Sequence, residues 1–219
     1  MKVLGIDEAG RGPVIGSMFI GGFATDQKDL DRLEDLGVKD SKKLSDSRRE
    51  GIRENLGEIG DSIVEEFTAS SIDSMMEGMT INRIEIKGFA RVIDQADPDK
   101  VVMDLPEPDA EEFIEKIKKS MNSDSTDIEF TAEHGADDSF PVVSAASIVA
   151  KSARESHVEE LHSKYGYDFA SGYPHDKPTI NFLERYLDQE GELPPETRRS
   201  WSTAERLVDQ HQQNSISDF

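Results

Sequence analysis

Two carboxylates stand where an apolar run ends: residues 2–6 read KVLGI, and Asp7 and Glu8 follow directly. A second apolar run, KVVMDLP at 100–106, carries Asp104 behind its valines. Adjacent strands of one sheet could bring Asp7 and Asp104 together, and like charges a few ångströms apart are costly unless a cation neutralises them. Hard divalent cations prefer such oxygens, so the pattern suggests a Mg²⁺ or Mn²⁺ site. The local alternative for Asp104 is a cap or turn before Pro106. The chain has no cysteine, which leaves oxygen and imidazole as ligands for any metal. After the first pair, Ala9-Gly10-Arg11-Gly12-Pro13 sets two glycines around an arginine. Such a loop lets the backbone approach a ligand and aim N–H groups at an anionic or hydroxylic partner.

The elements that must hold these groups can be read from periodicity. Residues 2–6 and 14–23 read as adjacent strands joined by the DEAGRGP loop. Helical spacing of Leu and Ile predicts helices over 27–36, 45–56 and 72–96, while 62–70 alternates like a strand. A short strand at 100–106, a helix at 109–121, a strand at 128–134 and a helix at 142–164 come next, with further helices near 178–189 and 197–212. Strands first, then strands alternating with helices, predict an α/β fold with a mixed sheet flanked by helices.

Length allows one sizeable core plus an appendage. The absence of a long apolar run or an apolar leader predicts a soluble, cytoplasmic protein with no membrane partner. Forty-six acidic against twenty-five basic residues give a net charge of −21, which argues against a nucleic-acid partner. The excess is uneven: residues 57–140 hold 22 acids and 7 bases, whereas residues 1–56 hold 11 and 10. Acidic helix faces of this kind resemble the surfaces of proteins that work in multimolar salt, where repulsion is screened. A halophilic host is therefore expected, with an acidic protein-binding surface as the alternative. Residues 39–53 form the most basic stretch.

DEAGRG at 7–12, DSKKLS at 40–45, MDLP at 103–106, HGAD at 134–137, PVVSAASIVAKSAR at 141–154, SGYPHD at 171–176 and RRSWSTAERL at 198–207 occur in one order along the chain. Through these seven motifs the sequence resembles ribonuclease HII in its archaeal form. The resemblance implies a ribonuclease H-like catalytic domain at 1–177, a C-terminal helical extension at 178–212 and a tail at 213–219. It implies a monomeric endoribonuclease of DNA replication and repair that cuts the RNA strand of RNA–DNA hybrids and incises at ribonucleotides embedded in duplex DNA. The products would be 5′-phosphate and 3′-hydroxyl ends, formed by a two-metal mechanism with Mg²⁺ or Mn²⁺.

Residue by residue, the resemblance assigns the metals to Asp7, Glu8, Asp104 and Asp137, with the adjacent Asp138 as the alternative fourth acid. It assigns the ribose 2′-hydroxyl to the backbone of Gly10, Arg11 and Gly12 and to the phenol of Tyr173. Lys42 and Lys151 match positions near the scissile strand, and Ser144 and Ser147 could add hydroxyl donors near a helix start. His134 and His175 read as structural, and Trp201 as a core anchor. Gln213, Ile216 and Phe219 have the spacing of a sliding-clamp-binding peptide; an ordinary polar tail is the other reading. The acidity and Gly135, where a basic residue is common, depart from the family pattern. A scaffold that keeps the fold without the chemistry is the rival from another class, and four acids at the ligand positions count against it.

Overall fold

The computed structural model describes residues 1–38, 46–123 and 127–217, with the side chains of 46–47 and 214–217 left out. The expected contributions of Lys42 and Phe219 fall outside the described residues, as does the side chain of Ile216. Two compact units divide the chain. The first comprises residues 1–9, 19–66 and 82–153, and the second residues 10–18, 67–81 and 154–219.

The first unit is built on a five-stranded sheet of order β3-β2-β1-β4-β5. Its strands are β1 (Lys2–Ala9), β2 (Met18–Asp26), β3 (Gly60–Phe67), β4 (Lys100–Asp104) and β5 (Glu129–Glu133). β1 runs antiparallel to β2 and parallel to β4, and β4 runs parallel to β5, so the sheet is mixed as the element order predicts. The α-helices among the described residues are α1 (Leu30–Leu36), α2 (Asp46–Leu56), α3 (Ala69–Met76), α4 (Ile81–Ala96), α5 (Ala110–Ser120), α6 (Ala136–Ser139), α7 (Pro141–Tyr165), α8 (Lys177–Glu190) and α9 (Ser202–Ser217).

The near-continuous apolar pattern of β1 is that of a strand covered on both faces. One cover is the start of α7, whose Val142, Val143, Ala145, Ala146 and Val149 join Val3, Phe23 and Val102 in a single core. The small residues of PVVSAAS let this helix come very close. A Cβ on Gly5 would lie 2.1 Å from the Val142 carbonyl oxygen, and one on Gly21 would lie 2.5 Å from that of Ala146. Gly5→Ala is therefore expected to cost at least ~2 kcal/mol, because neither the central strand nor the helix backbone can yield without opening the core. Urea unfolding checks it, and a variant within 0.5 kcal/mol of wild type, about the noise of a surface change, contradicts this packing.

Four boundaries differ from those that periodicity predicts. The helix expected over 72–96 is two, because α3 ends at Met76 and α4 starts only at Ile81, with Gly78 in the turn between. The strand expected over 62–70 stops at Phe67, and Thr68 instead caps α3 by accepting the Ser71 N–H at 3.2 Å. Val14 and Ile15, expected in the second strand, belong to the core of the second unit with Leu161, Phe169, Phe182 and Leu183. The last helix starts at Ser202 rather than 197, since Thr197 bridges to Ile15 and the Arg198 N–H donates to the Val14 carbonyl. It continues to Ser217, so much of the expected tail has helical backbone. No described helix is long and apolar enough to cross a membrane.

Candidate active site

The first unit gathers three of the expected acids. Ile6 pairs with Met103 across β1 and β4, so the next residue on each strand, Asp7 and Asp104, are neighbours. Asp7, Glu8 and Asp104 each offer a carboxylate oxygen within 4.8 Å of the others. Asp7 is buried, and this burial first, with the charge of Glu8 second, pushes its carboxyl well above the usual range. Opposing influences are the Glu8 N–H, which donates to Asp7 Oδ1 at 2.8 Å, and the positive charge of Lys151. The Ser147 hydroxyl also favours the charged form of Asp7, although it makes no hydrogen bond of good geometry. Three carboxylates this close, one of them desolvated, form a set that a divalent cation could bind and neutralise.

Asp104 also fixes the segment after β5. Its Oδ1 accepts the Ala136 N–H at 2.9 Å, tethering the first turn of α6 to the end of β4. His134 ties the same segments, with Nδ1 2.8 Å from the Leu105 carbonyl oxygen, which agrees with a structural role. Asp137, next to the tethered N–H, is buried, whereas Asp138 is exposed. Among the described residues the metal-compatible group does not include Asp137. Ser144, expected to face substrate, instead donates its hydroxyl to the Asp137 carbonyl at 2.5 Å, so it holds α6 in place. Its buried position at the start of α7 leaves that hydroxyl no free direction.

The second unit contains the loop expected to read the sugar. Gly10 has φ 82, a left-handed conformation that its missing Cβ permits. Tyr173 lies beside the loop: a Cβ on Gly12 would be 3.1 Å from its Cε1. The Val14 N–H donates to the Gly172 carbonyl at 2.8 Å, and the Arg154 guanidinium lies 5.2 Å from the Tyr173 ring centre. Gly12, which is exposed, thus lies against the Tyr173 ring in this unit, whereas Gly10 is buried.

Sequence reasoning missed the residue that organises this loop. Arg198 is fully buried and donates from Nε to the Gly16 carbonyl at 2.9 Å, from Nη1 to Arg11 at 2.8 Å and from Nη2 to Gly10 at 2.5 Å. Burial first, with the charge of Arg154 adding to it, brings the guanidinium down to about 9, still charged at neutral pH. Trp201 packs against the same core, with its ring centre 4.9 Å from the guanidinium, as expected of an anchor. The basic first position of RRSWSTAERL was the available signal, but its acceptors are backbone carbonyls, which leave no mark in sequence.

The family model for ribonuclease HII matches residues 4–204. The chain belongs to the ribonuclease HII family. The ribonuclease HII of Methanothrix thermoacetophila is 40% identical over 208 residues, covering 94% of this chain and 97% of that protein. Among solved structures, the ribonuclease H2 from Pyrococcus horikoshii OT3 superposes with a TM-score of 0.91 at 40% identity, over 98% of this chain and 100% of that one. A chain of the PCNA:RNase HII complex from Archaeoglobus fulgidus superposes at 0.84 and 38% identity, over 94% and 96%. A ribonuclease HII is an endoribonuclease, a hydrolase that cleaves the RNA of RNA–DNA hybrids, and the sheet with its flanking helices is the ribonuclease H-like fold.

Proposed function

We propose that this ribonuclease HII incises at RNA–DNA junctions, including single ribonucleotides in duplex DNA, with Mg²⁺ or Mn²⁺ held by Asp7, Glu8, Asp104 and Asp137. The observation that carries the reading is the convergence of Asp7, Glu8 and Asp104 within 4.8 Å. The burial of Asp137, next to the N–H that Asp104 holds, supports it as the fourth acid over Asp138. The four acids would hold a pair of such ions, which when bound would supply an activated water and a charge clamp for in-line displacement at phosphorus, with 5′-phosphate and 3′-hydroxyl ends as the expected products. Lys151 adds positive charge beside the acids, and the Ser147 hydroxyl favours the charged form of Asp7.

The loop Gly10-Arg11-Gly12 and the Tyr173 phenol sense the 2′-hydroxyl, a group that both donates and accepts. Tyr173→Phe is expected to lower single-ribonucleotide incision about 10- to 100-fold, the worth of one well-placed hydrogen bond of roughly 1.5–3 kcal/mol. Cleavage of long hybrids should fall much less. Steady-state kinetics on the two substrates tests this, and an equal loss on both removes Tyr173 from junction reading.

The Archaeoglobus fulgidus complex, in which a relative 38% identical is bound to PCNA, supports a sliding clamp as partner, with Gln213, Ile216 and Phe219 as its contacts; Gln213 is exposed on α9. The surplus of acidic residues, 46 against 25, supports work in concentrated salt, where counterion release contributes little to binding.

A further inference from the structure

The acidic segment 57–140 holds only seven basic residues, and four of them line one cleft. Arg83 and Lys87 of α4 and Lys116 and Lys119 of α5 border a space of about 650 Å³, together with Ser120 and Asn122. No carboxylate is among its lining residues. Neither Asp7, Glu8 nor Asp104 borders it, so it is separate from the carboxylate cluster.

Local structure accounts for two of the four cations. Lys116 pairs with Glu107 at 2.6 Å and Glu112 at 3.1 Å, and Lys119 reaches Glu115 at 4.0 Å. Lys119 also sits in the last turn of α5, where the helix dipole favours positive charge. Arg83 and Lys87 are different. Both are exposed and spaced four residues apart on one face of α4, and neither makes a hydrogen bond or ion pair among the described residues. They lie in the first two turns of α4, the positive end of the helix, and its first turn has no acidic residue. Two cations there add to the dipole instead of offsetting it. Acids do stand beside the cleft, Glu107, Glu112 and Glu115 on the lysines of α5 and Asp94 on Asn122, but among the described residues none of them pairs with Arg83 or Lys87.

We propose that this cleft binds a small anion bearing two or more phosphate groups, such as a nucleoside diphosphate, a nucleoside triphosphate or inorganic polyphosphate. Its volume is that of a small-molecule site, and a concave pocket suits a compact ligand better than the convex flank of a duplex. Arg83 offers a planar fork to phosphate oxygens and Lys87 a point charge one turn away. Ser120 and Asn122 also border the space, but their side-chain donors go to the Lys116 carbonyl at 2.9 Å and to Asp94 at 3.0 Å, so recognition rests on the cations.

The test is calorimetric titration of the whole chain with tripolyphosphate in metal-free buffer, at the lowest KCl concentration that keeps the circular dichroism of the folded protein. The wild type is compared with Arg83→Ser/Lys87→Ser and with Arg206→Ser, which removes an exposed cation elsewhere. One saturable site per chain, weakened at least tenfold in the double variant and unchanged in Arg206→Ser, is the expected result. No saturable binding, or the same loss in both variants, overturns the proposal. It is equally overturned if the double variant keeps tripolyphosphate binding but loses affinity for an RNA–DNA hybrid, since the cleft would then serve the duplex backbone. Hybrid cleavage by the double variant should match wild type, so failure here leaves the nuclease reading untouched.

Discussion

Asp7→Asn is expected to abolish hybrid cleavage, by at least ~10³-fold, while making the metal-free protein more stable than wild type. The two effects have one cause. Asp7 is desolvated and lies beside Glu8, so its folded carboxyl titrates well above its ordinary value. Between those two values the folded state binds more protons than the unfolded state, so metal-free stability falls as pH rises through that window. Asparagine keeps the shape and removes the charge, and the penalty goes with it. A gain of about 1 kcal/mol corresponds to roughly 2–4 °C in a chain of this size. With Mn²⁺ the order reverses. The wild type gains about 2.7 kcal/mol at a hundredfold excess over the dissociation constant, and the variant, short of a central ligand, gains far less. Thermal melts with and without Mn²⁺, run at pH 7 and again near pH 4, where the wild type should approach the variant, read all of this. A variant less stable than wild type in the metal-free state would show that the Asp7 carboxylate is held by attractions stronger than its burial.

Arg198→Ala is expected to destabilise the fold by about 3–5 kcal/mol, the largest stability loss anticipated for a single side chain here. The substitution removes a volume that is fully buried and strands the carbonyls of Gly10, Arg11 and Gly16 without their donors. Arg198→Lys should recover less than half of the loss. An ammonium retains the charge but cannot present the planar fork that meets three separate carbonyls. Urea unfolding of the three proteins gives the order directly. At temperatures where the alanine variant stays folded, single-ribonucleotide incision should suffer more than cleavage of long hybrids, because Gly10 and Arg11 lose their fixed orientation. A loss within ~1 kcal/mol, no more than an ordinary surface change, would mean that the loop is held by its other contacts.

Much of this architecture is legible from residues alone. The apolar run before Asp7 and the valines before Asp104 announce two buried strands ending in acids, and the sheet pairs those strands side by side. Sheet type and most helices accord with periodicity. The features that periodicity does not reveal depend on backbone groups far away in sequence or on competing packing. Arg198 meets carbonyls some 180 positions distant. Val14 and Ile15 look like strand residues but are recruited to another core by Phe182 and Leu183. Ser144 looks like a free hydroxyl at a helix start, yet it is taken up by the carbonyl of Asp137, seven residues earlier. The break between α3 and α4 carries only Gly78 as its signal, too little to interrupt a strong helical pattern.

The most direct test is end-mapping of the products from a DNA duplex containing one ribonucleotide, cut by the folded wild type with Mn²⁺ in a salt concentration that maintains the fold. A single incision on the 5′ side of the ribonucleotide, leaving 5′-phosphate and 3′-hydroxyl ends and lost in Asp7→Asn, is the predicted result. Cleavage that survives Asp7→Asn, or that leaves a 2′,3′-cyclic phosphate, would contradict it, since the chemistry would then not depend on the carboxylates of β1 and β4.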